Sequence, residues 1–252
     1  MEAKDWDKEA KNYFDNITSP FDKNVKNPIY NAIDSINGKS KSVIDLGTGI
    51  GNLIPILSKN FKDVAALDFS KEMLNKAREN NKGLKNVKYF QEDMRNLSKF
   101  YNKFDVAASV NSIILPSVKD VNKIIEEIYK TLKEKGTFIG IFPALGSVLY
   151  ESILTYDKQL EETNDEELAR KRTYRVIGKK DYDFLLGMFT NENEGKQKFW
   201  YRFEIQYKLK KYGFKNIKFS KVIYPWEITE DPNLKSLKDK PGFYDWFVIA
   251  EK

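Results

Sequence analysis

Residue types suited to chemistry concentrate in "VIDLGTGIGNLIPIL" at residues 43–57, in which three glycines and one aspartate separate two apolar runs. A strand that ends in a glycine-rich turn before a helix leaves unpaired backbone N–H groups at the carboxyl edge of a parallel sheet, where ligands bind. Glycine also permits positive φ angles and lets a ligand lie against the backbone. A simple strand–helix corner would explain one small residue but hardly three at alternate positions. The stretch therefore predicts a ligand-binding turn.

The spacing of the glycines indicates which ligand the turn binds. The dinucleotide-binding pattern G-x-G-x-x-G would need a glycine where this chain has Asn52. The segment "VIDLGTGIG" instead resembles the first motif of the class I S-adenosylmethionine-dependent methyltransferases, an acid-containing strand followed by G-x-G-x-G. The resemblance implies S-adenosylmethionine as the cofactor, S-adenosylhomocysteine as the product, and a first set of cofactor-binding residues: Asp45, Gly47, Thr48, Gly49 and Gly51.

Further landmarks of that family follow in order along the chain. The resemblance implies that Asp68, in "VAALDFS", binds both ribose hydroxyls, and the two oxygens of a carboxylate suit a vicinal diol. It also places Asp93, in "YFQEDMRNL", near the adenine amino group, and Asn111, in "SVNSIIL", at the floor of the methyl-transfer site. The other cofactor-binding residues that we expect from the resemblance are Phe69, Met73 and Met94, the last against the adenine ring.

The elements that must position these residues alternate between strand and helix. The segments "SVIDL", "DVAALD", "NVKYFQ", "FDVAASV" and "GTFIGIF" predict strands, and "SKEMLNKAREN" predicts a helix capped by Ser70. The resemblance to the family covers residues 42–142 and, with weaker signals, residues 201–251. We therefore expect an α/β fold: a Rossmann-like, seven-stranded, mostly parallel sheet with helices on both faces, an antiparallel last strand and an insertion after strand five.

The alternation stops after Pro143 for about sixty residues, in which an antiparallel hairpin around "NENEG" is expected. Helices are also expected near residues 4–16 and 22–36. We expect one methyltransferase domain over residues 1–252. It would comprise four parts: an N-terminal helical lid (1–40), a cofactor-binding core (41–143), a substrate-recognition insertion (144–200) and the C-terminal part of the sheet (201–252).

The residues that contact the methyl acceptor are harder to select. An N-terminal helix would carry Trp6 and Tyr13 on one face, either as a lid or as an amphipathic stripe packed on the sheet. Three of the six arginines lie between residues 170 and 175, where they would either clamp an acidic acceptor or form a solvated face with nearby glutamates. No catalytic residue can be named; the candidate acceptor contacts are Tyr13, Phe14, Phe142, Arg175 and Trp226, the last being either core or pocket wall.

Composition excludes several kinds of catalysis. The chain has no cysteine and no histidine, and so lacks a thiolate nucleophile and the commonest general base and metal ligand. Methyl transfer from a sulfonium needs chiefly proximity and alignment, although a hydroxyl acceptor would need a base from Asp, Glu, Lys or Tyr. Strand four ends in "SVNS" rather than an Asn/Asp-Pro-Pro-aromatic motif or an acidic cluster. This disfavours enzymes acting on nucleobase amines and metal-dependent catechol-type enzymes, so we expect no metal.

Charge and hydropathy bear on partners and location. The chain has 43 basic and 37 acidic residues, but its lysines are scattered, whereas nucleic-acid sites concentrate charge on one face. We expect a small-molecule substrate, with nucleic acid possible but not favoured, no membrane, and a monomer or homodimer in the cytoplasm. The competing interpretations are an RNA or protein methyltransferase and a non-catalytic S-adenosylmethionine binder.

Overall fold

The computed structural model describes residues 6–7, 19–177, 181–191, 195–228 and 237–252. Up to residue 143, helices and strands alternate as the sequence predicts. Their bounds are α1 (Ile29–Ser35), β1 (Ser42–Leu46), α2 (Ile54–Asn60), β2 (Asp63–Asp68), α3 (Lys71–Asn80), β3 (Val87–Gln91), β4 (Phe104–Val110), α4 (Val118–Thr131) and β5 (Leu132–Pro143).

The second half contains two helices, a small sheet and the return to the main sheet. Single 3-10 turns lie at Ser98–Phe100 and Trp226–Ile228. The bounds of the other elements are α5 (Leu145–Thr163), α6 (Glu166–Ile177), β6 (Asp181–Asp183), β7 (Met188–Asn191), β8 (Gly195–Lys198), α7 (Arg202–Lys211), β9 (Lys215–Tyr224) and β10 (Phe243–Glu251).

The main sheet has seven strands in the order β3-β2-β1-β4-β5-β10-β9. Strands β1 to β5 pair in parallel, whereas β10 runs antiparallel to both β5 and β9. This confirms the expected fold class, including the antiparallel last strand. Strand β2 lies on one side of β1 and strand β4 on the other. The direction of the strand order therefore reverses at the carboxyl end of β1, which is where such sheets bind ligands.

Both faces of the sheet are buried, as alternation along β1 requires. Ile44 and Leu46 face a core formed with α4 and α7, whereas Val43 faces a second core formed with α1 and α2. Asp45 shares the face of Val43, since side chains two apart in a strand point the same way. The sheet is therefore covered on both sides, and the strand ends carry the polar residues.

Local signals were the most accurate guide to the elements. Ser70 caps α3 through a hydrogen bond from the Met73 N–H at 3.1 Å, and Gly213 ends α7 with a φ of 104°. Helix α1 begins after Pro28 and is shorter than expected. The helix expected at residues 4–16 lies outside the described residues, apart from Trp6 and Asp7.

The insertion after β5 contains two helices that the sequence analysis did not predict. Helices α5 and α6 pack against each other and are joined at Asn164, which has a φ of 50°. Their apolar pattern is weak, and Leu149 and Ile153 of α5 are exposed. The expected hairpin is present as β7 and β8, and β6 adds a third antiparallel strand. In the part of the chain that the structure describes, no helix has the length and apolar character needed to cross a bilayer.

Candidate active site

The glycine-rich turn after β1 is held against the end of β2. The N–H groups of Gly47 and Thr48 both donate to the Leu67 carbonyl, at 2.8 and 2.9 Å. The Gly49 N–H donates to Asp68 Oδ2 at 2.9 Å. The turn therefore curls over the carboxyl ends of the two strands.

The three glycines of the turn have positive φ angles of 70°, 54° and 86°. Two of them also have packing reasons. A Cβ at Gly47 would collide with the side chain of Ser112, and a Cβ at Gly51 would lie 2.6 Å from Asn81 Nδ2. Backbone conformation and close packing thus both demand glycine, so the turn is partly a tight structural corner as well as an exposed backbone surface.

Asp68 presents a carboxylate at the end of β2 that is only 6% exposed. Its Oδ2 accepts from Gly49, and its Oδ1 accepts from the Ser70 N–H at 2.9 Å. Burial raises the pKa of Asp68, while these backbone donors oppose the rise by favouring the ionised form. Each oxygen retains a lone pair, so the group can still accept from two hydroxyls.

A cleft of about 670 Å³ opens above these strand ends. It brings together eight of the residues that the sequence predicted for the cofactor: Gly47, Gly49, Asp68, Phe69, Met73, Asp93, Met94 and Asn111.

Several residues of the cleft were not predicted. Ser112, Ile114 and Leu115 follow Asn111 and line the wall beyond β4, and Glu92 precedes Asp93. Their position directly after strand ends is the signal that could have identified them. Trp6, considered in the sequence only as part of a lid or stripe, also lines the cleft and packs against Ile50 and Met73.

A second cavity of about 480 Å³ adjoins the cleft. It contains Asp45 and Thr48, which the sequence also predicted, together with Ser19 and Phe21 from the N-terminal segment. The residues that line both cavities are Gly47, Val110 and Asn111. The two cavities therefore meet over the turn after β1 and the end of β4. Gly51 is the one predicted cofactor residue that lies behind the turn rather than in either lining.

Asp45 is a buried carboxyl within this second cavity. Thr48 Oγ1 donates to its Oδ2 at 2.5 Å. Burial raises the pKa of Asp45 to about 7, while the Thr48 hydrogen bond opposes the rise and the nearby Asp68 adds to it. The side chain is thus able to change its charge near neutral pH.

The carboxylate of Asp93 already accepts hydrogen bonds from the side chain of Arg95. The Arg95 guanidinium contacts both carboxylate oxygens at 2.6–3.1 Å and also reaches Asp120. Partial burial favours a higher pKa for Asp93, but the hydrogen bonds from Arg95 outweigh it and lower the pKa. The carboxylate is therefore ionised and fixed in direction.

Asn111 lies where the two cavities meet. Its Nδ2 donates to Asp245 Oδ2 at 2.9 Å, and the Tyr224 hydroxyl donates to the same oxygen at 2.7 Å. Among the described residues, the buried Oδ1 of Asn111 has no hydrogen-bond partner. An acceptor left unpaired in a binding cleft indicates a place for a ligand donor.

The charge of the two cavities is one-sided. Their described lining contains four carboxyl groups and neither lysine nor arginine; the four are Asp45, Asp68, Glu92 and Asp93. No group of three or more acidic, histidine or cysteine side chains suited to a metal ion occurs within the described ranges. Two of the four carboxyl groups form ion pairs with residues outside the lining, Glu92 with Lys99 and Asp93 with Arg95, so the negative charge of the cleft depends on Asp45 and Asp68.

The predicted acceptor contacts are not brought to this cleft by the described structure. Phe142 is buried in the core and packs edge-on against Trp200, and Trp226 is buried and donates to the Pro241 carbonyl. Arg175 is exposed on α6, as are Arg170 and Arg172. The remaining two candidates, Tyr13 and Phe14, lie outside the described residues. All five stay predictions.

The sheet order and the cleft at its switch point define a Rossmann-like α/β ligand-binding domain. Residues 43–136 match a family model described as a methyltransferase domain. Over these residues the chain is similar to methyltransferase domains, in agreement with its resemblance to the class I S-adenosylmethionine-dependent methyltransferases.

Individual relatives agree with this. The chain is 30% identical over 153 residues to an uncharacterized protein of Methanocaldococcus jannaschii; the match spans 58% of this chain and 58% of that protein. Its fold is similar to that of a SAM-dependent methyltransferase from Methanosarcina mazei, with a TM-score of 0.61, 18% identity and coverage of 88% and 96% of the two chains. A Pyrococcus horikoshii protein gives a TM-score of 0.62, 21% identity and coverage of 89% and 87%.

Proposed function

We propose that this chain is an enzyme that transfers the methyl group of S-adenosylmethionine to a small molecule. The observation that carries the proposal is Asp68, whose carboxylate is fixed by the glycine turn and faces the cleft. The bound cofactor would supply a methyl group on a positively charged sulfur; the acceptor's lone pair forms the new carbon bond, and the carbon–sulfur pair stays on sulfur, giving neutral S-adenosylhomocysteine.

The residues of the cleft fit such a cofactor. Asp68 would hold the ribose hydroxyls, while Phe69, Met73 and Met94 would cover the adenine ring. Asp45 and Thr48 would face the amino-acid end from the second cavity. The carboxyl groups of Asp45 and Asp68, in a described lining that contains no lysine or arginine, favour a ligand that carries positive charge.

The same charge pattern supports a small-molecule acceptor over RNA. Phosphate groups would meet acidic residues at the cleft, whereas RNA-binding sites offer clustered lysine and arginine. The cleft needs no histidine or cysteine for an in-line displacement, because alignment supplies much of the rate increase. We further propose that the chain forms a single domain, in which residues 1–40 and 144–200 enclose the side of the cleft that receives the methyl acceptor.

Calorimetry with S-adenosylhomocysteine tests the cofactor assignment. Asp68→Ala should abolish measurable binding, whereas Asp63→Ala, a matched change at the exposed start of the same strand, should not. Thermal unfolding of both variants verifies that each is folded. Equal affinities of wild type and Asp68→Ala would refute the proposal.

Transfer of labelled methyl groups in fractionated cell extract tests the acceptor class. Label in small metabolites supports the proposal. Label only in RNA or only in protein would replace it with the corresponding alternative, and binding of the cofactor without any transfer would favour a non-catalytic binder.

A further inference from the structure

Asn111 is one of the residues that line both cavities, and its backbone conformation is unusual. Its φ is 46°, in the left-handed region that asparagine tolerates better than most residues. Its N–H donates to the Ile141 carbonyl at 2.9 Å, which fixes the backbone after β4 against β5. The side chain then leaves the strand end and lines both cavities.

The orientation of this amide is set by the Asp245 carboxylate. Three donors converge on it: Asn111 Nδ2 at 2.9 Å, the Tyr224 hydroxyl at 2.7 Å and the Ala144 N–H at 3.3 Å. Burial raises the pKa of Asp245 while these three donors oppose the rise, and because Asp245 Oδ2 accepts from Asn111 Nδ2, the NH₂ side of the Asn111 amide faces Asp245. The carbonyl side, Oδ1, must then point away from Asp245, and no described residue donates to it.

We propose that Asn111 Oδ1 accepts a hydrogen bond from the attacking group of the methyl acceptor, and that Asp245 and Tyr224 are positioning residues that hold the amide in this orientation. The inference rests on the proposed function and narrows its substrate class. The acceptor must carry a hydrogen on the attacking atom, because otherwise the buried Oδ1 would stay unpaired.

The charge of the surroundings favours an amine as that acceptor. The described lining of the two cavities offers carboxyl groups and no basic side chain, which suits a group that is neutral before attack and cationic after it. The amide oxygen of Asn111 is not basic enough to take a proton. It would orient the N–H so that the nitrogen lone pair faces the methyl carbon, and the proton would leave to solvent.

Two analogues of the cofactor test whether Asn111 Oδ1 accepts a hydrogen bond, and they do so without a known methyl acceptor. Sinefungin carries a primary amine where S-adenosylmethionine carries the sulfonium methyl, whereas S-adenosylhomocysteine has no donor there. Asn111→Gly removes the amide, and glycine tolerates the φ of 46°. By calorimetry, this variant should lose roughly tenfold or more of the wild type's preference for sinefungin over S-adenosylhomocysteine.

Asp245→Asn tests the positioning role. The Ala144 N–H keeps the amide oxygen on its side, so the new NH₂ group faces Asn111 and should turn the Asn111 amide around. Its NH₂ side would then face the cleft, and sinefungin should again be weakened selectively. Tyr224→Phe leaves the Asn111–Asp245 contact in place and should have a smaller effect. Asp105→Asn, a matched change near the start of β4, should have none.

The outcomes separate this inference from the proposed function. Failure of the wild type to bind S-adenosylhomocysteine would refute the proposed function itself. Normal binding with an unchanged sinefungin preference in Asn111→Gly and Asp245→Asn would overturn only the inference. A parallel loss of both analogues would also overturn it, because it would indicate a structural role or a contact with the amino-acid end.

Discussion

The ammonium group of Lys198 lies 2.7 Å from Glu204 Oε2, although the Lys198 side chain is completely buried. The pair links the last strand of the insertion to the first turn of α7. Lys198 Nζ also donates to the Phe199 carbonyl and lies 4.8 Å from the centre of the Trp200 ring. Burial lowers the pKa of Lys198, and Glu204 opposes the change by stabilising the charged form.

Removal of Glu204 should therefore be costly. Glu204→Ala leaves a buried lysine without its charge partner and should lower the free energy of unfolding by about 3 kcal/mol, measured by urea denaturation. The double variant Lys198→Met/Glu204→Leu should recover much of that loss because the Lys198 charge is gone, while Lys208, which also contacts Glu204, keeps its hydrogen bond to Asn122. Glu126→Ala, which removes surface pairs with Lys123 and Lys130, should cost less than about 1 kcal/mol. Equal costs for the two single variants would contradict this account.

The packing behind the glycine turn predicts a difference between two glycines of similar backbone conformation. Gly51 and Gly83 have φ angles of 86° and 92°, but a Cβ at Gly83 would meet nothing within 4 Å. Gly83→Ala should cost only backbone strain, about 1–2 kcal/mol. Gly51→Ala must also displace Asn81, whose Nδ2 donates to the Gly51 and Ala77 carbonyls, and should be clearly less stable. Thermal unfolding of the two variants gives the comparison; matching melting temperatures would refute the packing argument.

Asp45 should make stability depend on pH. Its pKa is about 7 in the folded chain, above the value near 4 expected when unfolded, so the folded state binds the proton more tightly. The stabilisation is complete below about pH 4 and is lost as the pH rises to about 7, a change of about 4 kcal/mol at most. In Asp45→Asn this contribution is absent, so its stability relative to wild type should rise over that interval. Parallel stability curves for the two proteins would exclude the raised pKa.

Trp6 should contribute to ligand binding from the N-terminal side. The neighbouring Asp7 accepts from the Ser70 hydroxyl at 2.5 Å and from the Glu72 N–H at 3.2 Å, which fixes this segment at the start of α3. We expect Trp6→Ala to weaken S-adenosylhomocysteine binding roughly tenfold with little effect on the melting temperature. Phe203→Ala, which removes an aromatic ring that is 69% exposed on α7, is the control. An unchanged affinity in Trp6→Ala would remove this residue from the site.

The sequence predicted the features that depend on local chemistry. The glycine turn, the Ser70 cap and the acids at strand ends each have a signature within a few residues, and the structure brings most of them to one cleft. Features that depend on contacts between distant parts of the chain could not be predicted from the sequence. The weak apolar pattern of α5 and α6 reflects helices that pack mainly on each other, and no local signal shows that Trp226 is enclosed by Tyr150 and Phe243.

Asn111 depends both on a local signal and on a distant contact. Its place after β4 follows from the family resemblance, but the direction of its amide depends on Asp245, which lies 134 residues further along the chain. No pattern near residue 111 reports that partner. Arg95 is a different case, because it lies two residues from Asp93 and the sequence analysis did not consider the ion pair between them.

The length of chain between Asn111 and Asp245 has a consequence for biogenesis. A nascent polypeptide can assemble β1 to β5 and the glycine turn early, yet the amide would remain free to rotate until β10 has threaded between β5 and β9. Contacts of such large sequence separation form late because closing long loops is entropically slow. The Asn111 amide would therefore take its final orientation only after β10 has joined the sheet.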